Sequence, residues 1–389
     1  MRFAEQMIAV AVGWQVYAIR HNPLDLGFVG LAEFVPLPLL ALPAGQLSDR
    51  VPRRVVLASS LAMSATISAL LLVVTVEGAS QLWPYFALAS ASGIANSIGW
   101  PAYGSLTPEV VPPELVPGAM ALRSVAGQIA VVTGPAIGGV IFAVRPEAVY
   151  ATAAGLFTVA LVTVLALRAR RLPRDLGEEP PGLADLVAGI RFMQRTRMLL
   201  GAISLDLFAV LFGGGVGLLP VYAQSILHVG PIGLGVLRAA PAVGALSAAL
   251  ILTRRPLKRP AGPTLMIVVA LYGVFNVVWG ASHWLPLTLA ALAVAGFADM
   301  ISVNIRSTTV ALVTPNALRG RVTAVEMVFV SASNELGAFE SGAIARLIGT
   351  VPCVVAGGVA TIGLAVGWTR FFPALARMGR LEDLRPEPV

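Results

Sequence analysis

Charge is what this chain has least of. Of its 389 residues only 12% are Asp, Glu, Lys or Arg, where a soluble globular chain carries roughly a quarter. Cysteine occurs once, at Cys353, which excludes an internal disulfide and a paired-cysteine metal site. The three histidines, His21, His228 and His283, fall in three separate predicted loops. They are read as solvated loop residues, not as a metal centre. A Walker loop, an HExxH pair and a G-x-S-x-G elbow are all missing from any context that would support their chemistry. The sequence therefore offers no cofactor site and no enzymatic centre.

What fills the space is apolar. Hydrophobic residues make up 57% of the chain, and mean hydropathy is +0.83. Apolar runs of about 18 residues or more recur along the whole length, as needed to cross about 30 Å of hydrocarbon as helix. The abundant glycine (39) and proline (28) would break helices in water, but membrane helices tolerate both. The expectation is an all-α polytopic membrane protein, the first span acting as its own uncleaved signal.

The runs give spans near 2–20, 25–47, 54–76, 82–104, 116–143 and 147–168, then 199–226, 230–252, 262–282, 285–307, 319–348 and 351–371. The organisation is an N-terminal half over 1–168, a linker over 169–198, a C-terminal half over 199–371 and a tail over 372–389. The linker "RARRLPRDLGEEPPG" leads into "LADLVAGIRFMQRT", which sets Leu183, Leu186, Val187, Ile190 and Met193 on one helical face. That pattern predicts an interfacial helix on the cytoplasmic leaflet. Trp83 and Trp284 open spans 4 and 10, where interfacial anchors belong.

The net charge of +7 would suit nucleic acid, but its distribution follows the membrane. Counted in each loop or within three residues of it, three Lys or Arg belong to the loop after span 2, seven to the central loop, four to the loop after span 8, three to the loop after span 10 and four to the tail. That places 21 of the 27 on one side, with only Arg20, Arg145 and Arg346 on the other. By the positive-inside rule both termini face the cytoplasm.

Self-comparison reveals a repeat. At an offset of 205, Tyr17 falls on Tyr222, Gly30 on Gly235 and Pro36 on Pro241; at 207, Thr107-Pro108 falls on Thr314-Pro315; at 203, "GPAIGG" (134–139) falls on "GAFESG" (337–342). Two pseudo-symmetric six-helix halves follow. The register also makes span 1 about seven residues shorter than its partner, as if clipped.

The clearest loop motif is "GQLSDRVPRR", with Gly45, Asp49, Arg50, Arg53 and Arg54 between spans 2 and 3. Gly45 permits close approach of two helix ends, Asp49 suits a neighbouring helix N-terminus, and the arginines can pair across a cytoplasmic gate. Ordinary positive-inside charge is the plainer reading. Its counterpart "LTRRPLKRPAG" puts Arg254 where Asp49 would be. Twelve spans in two halves with G-x-L-x-D-R-x-x-R-R resemble the major facilitator superfamily. "WPAYGSLTPEVVPPELVPGAMALRSVAGQIAVVTGPAIGGV", "ADMISVNIRSTTVALVTPNALRGRV" and "SNELGAFESG" resemble its enterobactin-exporter-like, multidrug-efflux branch. The resemblance covers nearly the whole chain. It implies the major facilitator fold, a bacterial-type cytoplasmic (inner) membrane and secondary active transport, with export of a siderophore- or drug-like molecule against protons. "GPAIGG" resembles the superfamily's antiporter motif, although Ala130 stands where that motif has glycine. Physically, Gly134, Gly138 and Gly139 clear one helix face for a partner and Pro135 bends the helix; generic small-residue packing is the alternative.

Ionisable residues inside spans are rare and face a cavity or a partner. Here they are Glu33, Arg123, Asp206, Arg238, Asp299, Glu326, Glu335 and Glu340. Glu326 and Glu340 lie within about 40° of each other around their helix, and Glu335 roughly 140–180° from both. Glu33 and Arg238 are counterparts of opposite sign in the repeat, as are Arg123 and Glu326. Glu335 and Asp206 are the first choices for binding the transported proton, with static salt bridges as the alternative for each residue. Gln15, Trp100, Tyr103, Phe212, Asn276 and Asn334 are candidates to line a cavity for amphipathic cargo, or else ordinary packing. The expected partners are a small-molecule substrate, protons and the bilayer, with the chain acting as a monomer. An importer on the same fold and a non-transporting membrane sensor are the rival readings.

Overall fold

The computed structural model describes residues 1–40, 51–78, 80–167 and 183–385. Of the gate-loop candidates, Gly45, Asp49 and Arg50 lie outside the described residues. So do 169–182 of the linker and the last four residues.

Among the described residues, helices are found at each expected span position. They are α1 (Arg2–Arg20), α2 (Pro23–Phe34, with helix resuming over 36–40), α3 (Arg53–Val76), α4 (Trp83–Val110), α5 (Val116–Val144) and α6 (Pro146–Ala166). Then follow α7 (Leu183–Arg195), α8 (Arg197–Gly213), α9 (Gly230–Arg254), α10 (Ala261–Ala281), α11 (Leu285–Val313), α12 (Asn316–Ile348) and α13 (Thr350–Phe371). Proline enters several of these helices in the first turn, where its missing N–H has no intrahelical partner to lose. His21 closes α1 in the left-handed conformation at φ 51°, and His228 precedes α9 at φ 52°. Two of the three loop histidines thus hold tight turns at corresponding places in the repeat.

Among the described residues, nine helical stretches are long and apolar enough to cross a membrane. The three long helices that fall short are α1, α4 and α12. They carry Glu5 and Gln15, then Asn96, then Glu326, Glu335 and Glu340. Large apolar side chains lie outward elsewhere, such as Val73 on α3, Val159 on α6, Ile251 on α9 and Val366 on α13. Helices satisfy their own backbone hydrogen bonds, so such a surface sits in hydrocarbon without penalty.

The chain divides into two compact units. The first comprises Met1–His21, Phe28–Gly182 and Val229–Ala239, and the second Asn22–Gly27, Leu183–His228 and Ala240–Val389. In the first, α3 packs on α4 and α6, and α1 on α5 and α6; in the second, α10 packs on α11 and α13, and α8 on α12 and α13. Each pairing in one unit has its repeat partner in the other.

Two expectations need correction. The span expected over 199–226 is not one regular helix: α8 ends at Gly213, a 3₁₀ stretch covers Gly214–Leu218, and a π turn covers Tyr222–Ile226. Helix α7 splits the predicted face. Val187 is exposed, whereas Met193 is buried and Ile190 partly buried, packed together with Phe192 against the cluster of Leu199, Val310, Val322 and Val325. Its apolar residues are spent on the protein, because α12 passes close enough that a Cβ on Gly189 would meet the Arg321 carbonyl oxygen at 3.1 Å. The described part of the tail is packed, with Leu375 and Met378 buried in the core of the second unit.

Candidate functional site

Five of the eight predicted ionisable residues fall into two clusters, one in each unit: Asp206, Asp299 and Glu326 in the second, Glu33 and Arg238 in the first. In the second unit Asp206 of α8 forms an ion pair with Arg306 of α11, both side chains close to fully buried. The Arg306 Nε also donates to the Ser302 carbonyl at 3.3 Å. Glu326 of α12 stands within electrostatic reach of Arg306 and lines a small pocket with Asp206, Arg306 and Ser333. A second small pocket on the other side of Asp206 is lined by Asp299, Tyr272 and Ser302. Asp206 is common to both, so three carboxylates and one guanidinium form one connected polar seam. The seam continues outward through Tyr272, whose hydroxyl donates to the Gly213 carbonyl at 3.3 Å.

Arg306 is the residue that sequence reasoning missed. The predicted span, 285–307, holds Arg306 in its last turn, yet the residue is counted with the cations of the adjoining loop. In the structure α11 runs on to Val313, so Arg306 lies inside the helix at 6% exposure. A signal was present: Asp299 and Arg306 are seven residues apart and share a helix face.

In the first unit the Asn96 amide donates to the Glu33 carboxylate at 3.3 Å, and Arg238 is within electrostatic reach of Glu33. The two residues of opposite sign at repeat-related positions therefore face each other. Glu5 of α1, absent from the predicted set, lies near Glu33 and Arg2; its Oε1 is buried without a hydrogen-bond partner among the described residues. Helix α2 reaches this place because Gly93 has no side chain: a Cβ there would sit 2.0 Å from the Glu33 carbonyl oxygen.

The other candidates go elsewhere. Arg123 donates to the carbonyls of Tyr103 (3.2 Å) and Gly104 (2.9 Å) and to the Thr107 hydroxyl (3.3 Å), joining α5 to α4. Glu335 is half-buried on α12 outside both pockets. Glu340 has one carboxylate oxygen buried with no hydrogen-bond partner among the described residues. It lies near Cys353, whose thiol donates to the Ser341 carbonyl at 3.4 Å. Arg53 pairs with Glu109 at 3.2 Å, and Arg54 lies beside it, partly exposed. The glycines of "GPAIGG" meet two partners: Cβ atoms on Gly134 and Gly138 would clash with Gln6 and Met7 of α1, and one on Gly139 with the Pro231 carbonyl at 2.5 Å. Pro135 is buried between them.

Of the cavity candidates, Gln15 is withdrawn into a network that joins α1, α3 and α6. It accepts from Tyr150 at 2.5 Å and donates to Thr75 at 3.1 Å. Asn276 is buried; its Oδ1 accepts from Trp279 at 2.8 Å, and its Nδ2 has no hydrogen-bond partner among the described residues. Phe212 stacks on Phe208, and the Asn334 amide, though exposed, bonds its own helix at Val330. Tyr103 does line a cavity of about 470 Å³ in the first unit, with Leu57, Leu61, Thr107 and Val164. Trp100 lies beside it, its ring under the Arg2 guanidinium at 4.3 Å. Among the described residues no group of three His, Cys, Asp or Glu is placed to hold a metal ion.

Comparison with known proteins now adds to this geometry. The family model described as "Transmembrane secretion effector" matches residues 2–383. The chain belongs to that family of major facilitator transporters. Across 390 residues it is 26% identical to the enterobactin exporter EntS of Shigella boydii, covering 98% of this chain and 90% of that protein. It is also 25% identical over 193 residues to the uncharacterized MFS-type transporter YfiS of Bacillus subtilis, 47% of this chain and 44% of that one. Among solved structures, a POT family transporter in complex with 5-aminolevulinic acid superposes with a TM-score of 0.73 at 11% identity over 96% of this chain and 94% of that one. A bacterial homologue of the lysosomal transporter Spinster gives 0.72 at 12%, over 100% and 98%. At such identities these structures speak for the fold, which is the major facilitator fold expected from the sequence. This family member is a multi-pass membrane transporter of small molecules, not an enzyme.

Proposed function

We propose that this transporter exports a small amphipathic organic molecule across the cytoplasmic membrane in exchange for inward-moving protons, acting as a monomer by alternating access of its two six-helix halves, with both termini cytoplasmic. The observation that carries the reading is the buried Asp206–Arg306 pair with Glu326 and Asp299 around it. A carboxylate taken out of water needs either a proton or a cation. One guanidinium among three carboxylates leaves that choice to the conformational state, which is what exchange of a proton requires. Glu33 with Arg238 in the first unit presents the same chemistry. Orientation rests on the 21 of 27 cations gathered on one side. With Arg306 inside its helix, that excess becomes 20 and keeps its sign. Siderophore- or drug-like cargo comes from the relatives named as enterobactin exporters.

Everted membrane vesicles test the reading. A fluorescent amphipathic cargo should accumulate only when the vesicle interior is acid, and a protonophore or Asp206→Asn should abolish accumulation. Accumulation driven instead by an acid exterior would mean symport, and the exchange reading would fall.

A further inference from the structure

The end of the chain does not trail into solution. After α13, Pro373–Leu384 turns back beneath the second unit. Leu375 is 0% and Met378 3% exposed, packed with Ala202, Leu205, Ile305 and Leu265. Leu381 and Leu384 join the same cluster, and Leu384 also reaches the one that holds Phe192 and Met193 of α7. The segment is fixed by its backbone as well. A helix leaves its first N–H groups without partners, and here those of Ala261 and Gly262, opening α10, donate to the carbonyls of Gly379 (2.7 Å) and Met378 (3.0 Å). Gly262 is shaped for this contact, since a Cβ would stand 2.2 Å from the Leu375 carbonyl oxygen.

Its position relates it to the ion pair. Leu205 and Ile305, in the core with Leu375 and Met378, immediately precede Asp206 and Arg306 in sequence. Thr309, one turn beyond Arg306, is 0% exposed; its hydroxyl donates to the Ile305 carbonyl at 2.7 Å and lies 3.7 Å from the Met378 sulfur. We infer that Pro373–Leu384 is an apolar strap that closes this end of the second unit and keeps water from reaching Asp206 and Arg306 past Thr309. The Glu326 pocket is then the pair's opening. The consequence for proton traffic rests on the proposed function; the closure itself does not.

Both are tested in the full chain carrying Cys353→Ser and Thr309→Cys, in everted vesicles with an impermeant thiol reagent outside. Cys at 309 should be unreactive with the strap intact. Leu375→Ser with Met378→Ser should raise its labelling about tenfold or more, as expected when a locally stable element opens. Gly262→Leu displaces the strap without altering it and should do the same, which keeps the test alive where the double variant does not fold. The strap variants should also leak protons down an imposed pH gradient. Labelling of the intact chain as fast as of the variants overturns the inference. Faster labelling without a leak upholds the strap and removes the proton role from the Asp206 cluster.

Discussion

The pair between Asp206 and Arg306 decides most at the residue scale. Removing one partner of a buried ion pair strands the other charge and costs about 3–5 kcal/mol. Arg306→Ala should therefore lower the thermal midpoint in detergent steeply. Asp206→Asn combined with Arg306→Gln should restore much of that stability while leaving transport uncoupled. A double variant that recovers both stability and proton-driven transport would reduce the pair to a static bridge. The sequence pointed to Asp206 but not to its partner. An arginine near a span end looks like a loop cation until the helix is known to continue, and the carboxylate that satisfies it lies on another helix. Glu335, in contrast, was prominent because it interrupts an apolar run; prominence along the chain does not say which neighbour a side chain meets.

Glycine governs the elements. Helices α9 and α11 touch at the backbone: a Cβ on Gly244 would stand 1.8 Å from the Ala293 carbonyl oxygen, and one on Gly296 2.1 Å from that of Pro241. Gly244→Ala or Gly296→Ala must push the helices apart, at about 1–3 kcal/mol for overpacking. Gly155 on α6 and Gly363 on α13 have nothing within 4 Å of a built Cβ, so alanine there should be neutral or stabilise by about 0.5–1 kcal/mol through helix propensity. Thermal unfolding of the four variants separates the two classes. Helix positions were legible because apolar length sets them; the faces were not. The tail carries an i,i+3 series, Leu375, Met378, Leu381 and Leu384, whose packing the sequence reading does not draw out. On α7 the predicted face does contain the buried Met193 and the partly buried Ile190, but its pattern does not tell that protein rather than lipid covers them.

At the scale of the whole molecule the duplicated architecture was the most legible feature. Matching offsets near 205 reflect matching packing: α1 on α5 and α6, and α8 on α12 and α13. The proposed orientation rests on charge alone and is open to a simple check. A reporter active only in the cytoplasm should work when fused after Val389 and stay silent when inserted at Asn22; the reverse result would invert the direction assigned to transport.

The interruption at Gly213–Gly215 has a mechanical consequence. These three residues lie against Tyr272, Gly337 and Trp279 in turn, and beyond them the regular α ladder gives way to 3₁₀ and then π geometry. An unbroken helix is a rod that carries torque from end to end, whereas a change of pitch midway is a universal joint. The end bearing Asp206 and the end bearing Tyr222 can then turn by different amounts in the same transport cycle. Spin labels at Met198 and Gln224 should report distance changes that do not scale together.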